Sequence, residues 1–423
     1  MADKIKESYD RSFFNEGYQQ AISLMKRCVS KDGFYASESE TANYRRIWAR
    51  DGTIMGIGAL MTDEEELIQC FRRTLCTLKN FQGPHGEIPS NVDTSSGRVS
   101  YGGMAGRVDA DLWFIIGCTE YWKKTGDLRF LEEMIPAIEK AFYLLGAWEF
   151  NNRGLLYIPE TGDWADEYLQ KGYVLYDQLL YLQAQRSLLA IRTHMHDGED
   201  HQLRERIAHL RDMICDNYWL REEEELPEHV YHDILYQKTR DARKHCIESY
   251  WMPFFTPHGY GYRFDAMANV LASLLNVSSE EQSQTVDQHI DKILEESDKC
   301  LLPAFHPVIN PVDDDWNDLK MTFSYHFKNR PHEYHNGGLW PLITGFYVAS
   351  LCKRGLYDRA ICYLEGIHEA NAGNGNGKDW SFPEYLHGKD YTPKGTQFQG
   401  WSASAAVMAH HAIFDEKPVF QVA

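Results

Sequence analysis

"DLWFIIGCTEYWKKTGDLRFLEEMIPAIEKAFYLLGAWEF", Asp111 to Phe150, holds two apolar-periodic runs separated by a turn of Gly126 and Asp127. In each run apolar residues recur at three- and four-residue spacing, the period of a helix with one buried stripe. A connection this short, made of Gly and Asp, reads as the turn of a helical hairpin. The same pattern recurs along the chain. "YDQLLYLQAQRSLLAIRTHM" (176–195) is periodic, and further runs start near Ser12, Gly52, Glu64, Gln202, Phe264, Glu280, Gly337, Tyr357 and Gly400. That makes about twelve helices of three to five turns. Strand-like alternation is confined to short pieces such as "GLLYIPE" (154–160) and "HVYHDILYQ" (229–237).

The connections alternate. Some are tight, as at 126–127 and 355–358; others, 82–106, 151–172, 300–334 and 371–398, are long and rich in Gly, Pro, Asn and aromatics. Long loops in a compact domain usually carry function. Hairpins with short turns at one end and long loops at the other predict a closed, all-α toroid with its site on the long-loop face. On pattern alone the alternative is an irregular helical bundle. No composition break marks a linker, so residues 1–423 are read as one domain.

Net charge is −19, which makes nucleic acid and anionic membrane surfaces poor partners. The nine cysteines are scattered without a C-x-x-C pair, as in a reduced, cytoplasmic protein. The N-terminus, "MADKIKESYDRSFF", lacks an apolar signal region, and no run approaches the length of a membrane span. The spacing of the 18 histidines suggests no metal site, and no cofactor motif stands out. "AGNGNGKDW" (372–380) is one residue short of a phosphate loop and has Asp379 where Ser or Thr is needed, so it reads as a loop.

Three groups of loop carboxylates lie beside aromatics: Arg50-Asp51 next to Trp48; Asp163, Asp166 and Glu167 around Trp164; and Glu384 in "KDWSFPEYLHGKDY" (378–391). Carboxylates accept hydroxyl protons while aromatic faces cover the C–H surface of a sugar ring. Taken singly, each has a plain structural reading, Asp51 as a helix cap and Asp163 as a turn residue. Together they supply two carboxyl groups, the requirement for hydrolysing a glycosidic bond. Trp164 beside Asp166, with Asp163 close by, is expected to raise the pKa of Asp166 and make it a proton donor.

Whole segments resemble a known family. "YRRIWARDGTIMGIGALMTDEEELIQCFRRTLCTLKNFQGPHGEIPSNV" (44–92) is similar to the N-terminal catalytic segment of neutral/alkaline invertases and of bacterial glycogen-debranching-type glucosidases. "GRVDADLWFIIGC" matches their "VDxxLW" block through Asp109 and Trp113, with Asp111 where invertases tend to have a small residue. "RFDAMANVLASLL" matches through Asp265 and Asn269, and "EYHNGGLWP" through Tyr334, His335, Asn336, Gly337, Gly338, Trp340 and Pro341. "FPEYLHGKDYTPKGTQFQGWSASA" matches through Pro383, Glu384, Tyr385, Gly388, Gln399, Trp401 and Ser402. The resemblance implies an (α/α)6 barrel and an inverting glycoside hydrolase without metal or cofactor. It implies Glu384 as general base and, from the "W-x-D" segment, Asp166 as general acid, with Asp163 in reserve. "DWADEYLQKG" is closer to the debranching type than to the Asp-Arg-Arg of invertases, which leaves the leaving group open.

The expected substrate is a small α-glucoside, sucrose first. Glycosylglycerates and similar solutes, or α-1,6-linked oligosaccharides, come second; Arg107, Lys328 and Arg330 are the cations available for a glycerate. Arg50, Asp51 and Asp109 are expected to hold the hydroxyls of the cleaved glycosyl unit. Trp48, Trp113, Trp164, Tyr334, His335, Asn336 and Trp401 would form the pocket, with Gln399 as a polar contact. A sugar isomerase or epimerase would instead need a histidine pair, for which His326 and His335 are the candidates. A non-catalytic sugar-binding protein is the remaining alternative. Homo-oligomerisation is left open.

Overall fold

The computed structural model describes residues 11–41, 43–196, 198, 200–223, 225–295, 297–322, 324–373 and 380–422. The phosphate-loop-like stretch falls largely on 374–379, outside the described residues. Among the described residues, twelve helices make the framework: α1 (Arg11–Arg27), α2 (Ala49–Met61), α3 (Glu65–Asn80), α4 (Val108–Thr125), α5 (Leu128–Ala147), α6 (Leu175–His196) and α7 (His201–Tyr218), followed beyond a short α8 (Asp233–Ala242) by α9 (Ala266–Leu274) and α10 (Glu280–Leu294), and beyond a one-turn α11 (Trp316–Lys320) by α12 (Pro341–Lys353), α13 (Tyr357–Ala372) and α14 (Gly400–Phe414). The segment "HVYHDILYQ" is not a strand. From Asp233 it forms α8, whose first turn His232 caps by accepting from the Leu235 N–H.

Packing sorts the framework into two rings. Helices α2, α4, α6, α9, α12 and α14 each touch the next, and α14 returns to α2, which closes the inner ring. The outer helices α3, α5, α7, α10 and α13 each lie against the inner helix that precedes them. The sixth hairpin is made by the two ends of the chain, since α1 packs on α14. This is an (α/α)6 toroid. Sequence patterning explains the sorting. Outer helix α3 buries Leu67, Cys70, Phe71, Thr74, Leu75 and Leu78, a single stripe. Inner helix α12 buries every residue from Pro341 to Cys352, so it has to be apolar or small all round.

The 126–127 turn joins α4 to α5 as its composition requires. Gly126 takes the left-handed conformation (φ 69°), and the Asp127 side chain accepts from the Phe130 N–H at 3.0 Å. At the opposite end of the ring the long connections fold into a collar of very short strands. β1 (Ile47–Trp48), β2 (Asn91–Asp93) and β3 (Arg98–Ser100) form one antiparallel sheet; β4 (Tyr173–Val174), β5 (Phe254–Thr256) and β6 (Gly259–Tyr260) form a second. β7 (Phe264–Asp265) pairs with β8 (Phe305–His306), and β9 (Tyr385–Leu386) with β10 (Pro393–Lys394). "GLLYIPE" contributes only an isolated bridge, Ile158 to Gly172. Because β1, β4 and β7 run directly into α2, α6 and α9, the collar fixes the N-terminal ends of the inner helices around one hollow.

Candidate active site

A cavity of about 650 Å³ opens within the collar. Its wall holds Asp166 and Glu384 together with Trp48, Arg50, Asp51, Trp164, Tyr334, His335 and Trp401. Thus two acidic side chains remote in sequence meet at one hollow. Aromatic packing shapes the wall: His335 stacks on Trp340 (5.4 Å between centroids, 11° between planes), and Trp340 stacks on Tyr385. Trp164 meets His335 edge-on at 4.9 Å. Burial pushes the His335 imidazole down to about 3, so this side chain is a neutral wall. His326 is exposed and does not line the cavity, so the histidine pair that an isomerase would need is not assembled here.

Glu384 follows Pro383 into β9 and is nearly fully buried. Its Oε1 accepts from the Tyr44 hydroxyl at 2.9 Å and its Oε2 from the Thr396 N–H at 3.1 Å. Burial pushes its carboxyl up to about 7, against the pull of those two donors and of Lys328. Asp166 behaves differently. Burial would raise it too, but the Arg107 guanidinium, bonded directly to its Oδ2, and the more distant Arg50 and Lys328 outweigh burial and hold it below the usual carboxylate range. The expectation that Trp164 and Asp163 raise Asp166 is therefore reversed, because a paired cation acts more strongly than a neighbouring indole.

Five of the residues expected to bind substrate do not line the cavity; they form a layer behind it. Asp109, in the first turn of α4, accepts from Arg50 Nη1 at 2.7 Å and from the Tyr176 hydroxyl at 3.3 Å. Trp113 is fully buried and donates its indole N–H to Tyr176 at 2.9 Å. Gln399 donates to Asp51 at 3.2 Å. Asn336 ties its own loop to Ile309 and Asn329. Asp163 accepts from Gln170 at 3.0 Å, is buried and is absent from the cavity lining, whereas Asp166 is in it. Asp109 and Gln399 each bond a residue that does reach the cavity, Asn336 and Asp163 stand in loops that carry one, and Trp113 acts one step further back, through Tyr176 and Asp109. Asp51, pushed up to about 6 by burial despite Arg50 beside it, does face the cavity.

The cations are already neutralised. Among the described residues those lining the cavity are Arg50, Arg107 and Lys328, paired with Asp109, Asp166 and Glu167 respectively. Arg330, the other cation considered for a glycerate, is absent from the lining. Tyr44 and Phe327 line the hollow without having been recognised as functional. Tyr44 opens the segment that resembles the invertases, but no spacing reveals that it folds over a residue 340 positions away.

The sequence profile described as alkaline and neutral invertase matches residues 19–416, nearly the whole chain. The chain belongs to that family. With it, the protein is a glycoside hydrolase. Cytosolic invertase 1 of Oryza sativa subsp. japonica is 25% identical over 432 residues, covering 90% of this chain and 73% of the relative. Alkaline/neutral invertase CINV1 of Arabidopsis thaliana is 23% identical, covering 89% and 74%. Solved structures share the fold. The mannosylglycerate hydrolase of Thermus thermophilus superposes with a TM-score of 0.65 at 13% identity, covering 92% of this chain and 99% of that one. A bacterial glucoamylase complexed with acarbose gives 0.65 at 13% identity, covering 96% and 57%. Among the described residues no helix is long and apolar enough to cross a membrane.

Proposed function

We propose that the chain is a single catalytic domain that hydrolyses a small, uncharged α-glucoside, sucrose first, with inversion at the anomeric carbon. The observation that carries this reading is the pair Asp166 and Glu384 on one aromatic-walled hollow of about 650 Å³, large enough for a disaccharide. Glu384 takes a proton from water as the water oxygen bonds to the anomeric carbon. The bond from that carbon to the leaving oxygen breaks, its electron pair stays on that oxygen, and Asp166 supplies the proton. Asp166 has to gain that proton first, so the incoming leaving group must weaken its hold on Arg107.

The paired cations favour a neutral leaving group over a glycerate, since Arg50, Arg107 and Lys328 each already face a carboxylate. The charge of −19 disfavours nucleic acid as a partner. A cytoplasmic setting is supported by nine free cysteines and by the cytosolic relative, while Arabidopsis thaliana relatives carry chloroplastic and mitochondrial names.

The test is a panel of sucrose, trehalose, isomaltose, maltose and glucosylglycerate, with NMR following the anomer of the first glucose released. Cleavage of sucrose to β-glucose is expected. Release of α-glucose, or sucrose untouched while glucosylglycerate is cleaved, overturns the mechanism or the substrate respectively.

One observation favours a second reading with the roles exchanged: Glu384, at about 7, is the more readily protonated of the pair. α-Glucosyl fluoride, whose leaving group needs no proton, separates the two. If Asp166 is the acid, Asp166→Asn keeps turnover of the fluoride while losing sucrose; if the roles are exchanged, Glu384→Gln does.

A further inference from the structure

We propose that Tyr44 is a positioning residue for the reaction, its hydroxyl fixing the Glu384 carboxylate in the orientation from which it accepts the proton of water. The inference rests on the reading of Glu384 as the base.

A carboxylate on a flexible side chain can rotate about its last bond, and a base that rotates spends time off target. Here each oxygen is held by one donor, Oε1 by Tyr44 at 2.9 Å and Oε2 by the Thr396 N–H at 3.1 Å. The Glu384 main chain is fixed by the same neighbour, through its N–H to the Thr396 carbonyl at 2.9 Å. With one hydrogen bond on each oxygen, lone pairs remain to receive a proton. Gly395, at φ +70°, makes the approach feasible, since a Cβ there would stand 2.3 Å from Oε2.

The segment that carries Tyr44 is itself anchored. The Trp48 indole donates to the Asn43 carbonyl at 3.0 Å, and Ser37 donates to the Gln397 carbonyl at 2.8 Å, joining this segment to the loop that holds Thr396. Burial and the nearby Glu384 push the Tyr44 phenol well above its ordinary range, so it remains a donor at any working pH. Its hydrogen bond also lowers the Glu384 carboxyl and partly offsets burial. The other charged or titratable groups around Glu384 are Asp51 from α2, Lys328 and Tyr334 from the loop before α12, and its own neighbour Tyr385. Among the described residues Tyr44, and none of these four, has a side-chain hydrogen bond to the Glu384 carboxylate.

Tyr44→Phe removes one hydroxyl and keeps the ring. Loss of a hydrogen bond to a charged group lowers kcat by roughly 10- to 100-fold, with KM changed far less. The acidic limb of the kcat/KM profile, which reports ionisation of Glu384, moves to higher pH. Replacing Tyr44 by 3-fluorotyrosine, a stronger donor of nearly the same shape, moves that limb to lower pH and leaves folding intact should the Phe variant prove unstable. Limbs that stay in place in both variants overturn the proposal, as does a loss confined to KM. Glu384→Gln, run in parallel, separates the layers. If it retains normal turnover, the reading of Glu384 fails; if it is inactive while both Tyr44 variants behave as the unmodified enzyme, only the role of Tyr44 fails.

Discussion

At the N-terminal ends of the inner helices carboxylates gather: Asp51 in the first turn of α2, Asp109 and Asp111 in that of α4, Asp177 in that of α6, and Asp265 capping α9. At the C-terminal ends the free carbonyls meet cations instead. Lys417 donates to Met61 at the end of α2, and Lys353 and Arg186 donate to Leu274 and Leu275 at the end of α9, each at 2.7 Å. Both arrangements complement the helix dipole. The difference lies in the balance. At the C-terminal ends of α2 and α9 one cation and two cations, respectively, meet the last carbonyls. At the N-terminal end there is more acid than the dipoles and the arginines neutralise, so burial lifts Asp51 to about 6 and Asp265 and Glu384 to about 7. One end of the ring is built for stability, the other keeps protons poised near neutral pH.

The strongest way to break this contrast is to remove the poised group. Glu384→Gln lowers kcat on sucrose by roughly 10²–10⁴-fold, while the thermal unfolding midpoint changes little. Steady-state kinetics beside a melting curve checks both. The sign of the pH dependence follows from the same residue. A base has to be ionised, so kcat/KM rises with pH through about 7, the value to which burial lifts Glu384. A profile already flat from pH 5 upward removes Glu384 as the base.

Next comes the ion pair that restrains the excess acid. Arg50 and Asp109 are bonded at 2.7 Å with their side chains only 12% and 2% exposed. Arg50→Met leaves Asp109 buried with the Tyr176 hydroxyl as its remaining donor. Such a break costs about 3–5 kcal/mol of folding stability, read by urea unfolding at pH 8. Adding Asp109→Asn restores much of that loss, because no buried charge then stands alone. Full stability in the single variant would mean that the collar tolerates unpaired acid, contrary to the contrast drawn above.

The two ends were also unequally legible. The short turns at the C-terminal end could be read directly: Gly126 and Asp127 occupy the left-handed and cap positions that their chemistry favours. The inner and outer rings follow from whether a helix is apolar all round or on one stripe, as α12 and α3 illustrate. The collar resisted reading because its geometry is made by contacts between distant loops. Asp166 and Glu384 were found through motif blocks, yet the bond from Arg107 that reverses the expected shift of Asp166 has no local signature. Asp109, Trp113, Asn336 and Gln399 stood in the same blocks as the cavity residues, and motif membership does not separate a side chain that meets the ligand from one that holds its neighbour. Tyr44 was hidden for the same reason, as its partner arrives from the other end of the chain.

The smallest effect probes the quiet end. Lys417 reaches the Met61 carbonyl at 2.7 Å, where α2 terminates and its dipole is negative, and its side chain is 32% exposed. Lys417→Met keeps most of the stem and removes the charge. The expected loss is about 0.3–1 kcal/mol of stability at low salt, shrinking as ionic strength rises because a partly exposed charge is screened. Urea titrations at two salt concentrations measure it, with kcat and KM on sucrose unchanged in both. A stability loss that is independent of salt would assign Lys417 to packing instead of the dipole. A change in kcat would show that the C-terminal end of α2 communicates with Asp51 at its other end, 10 residues away in the chain, and the division of the ring into a stabilising end and a reactive end would no longer hold.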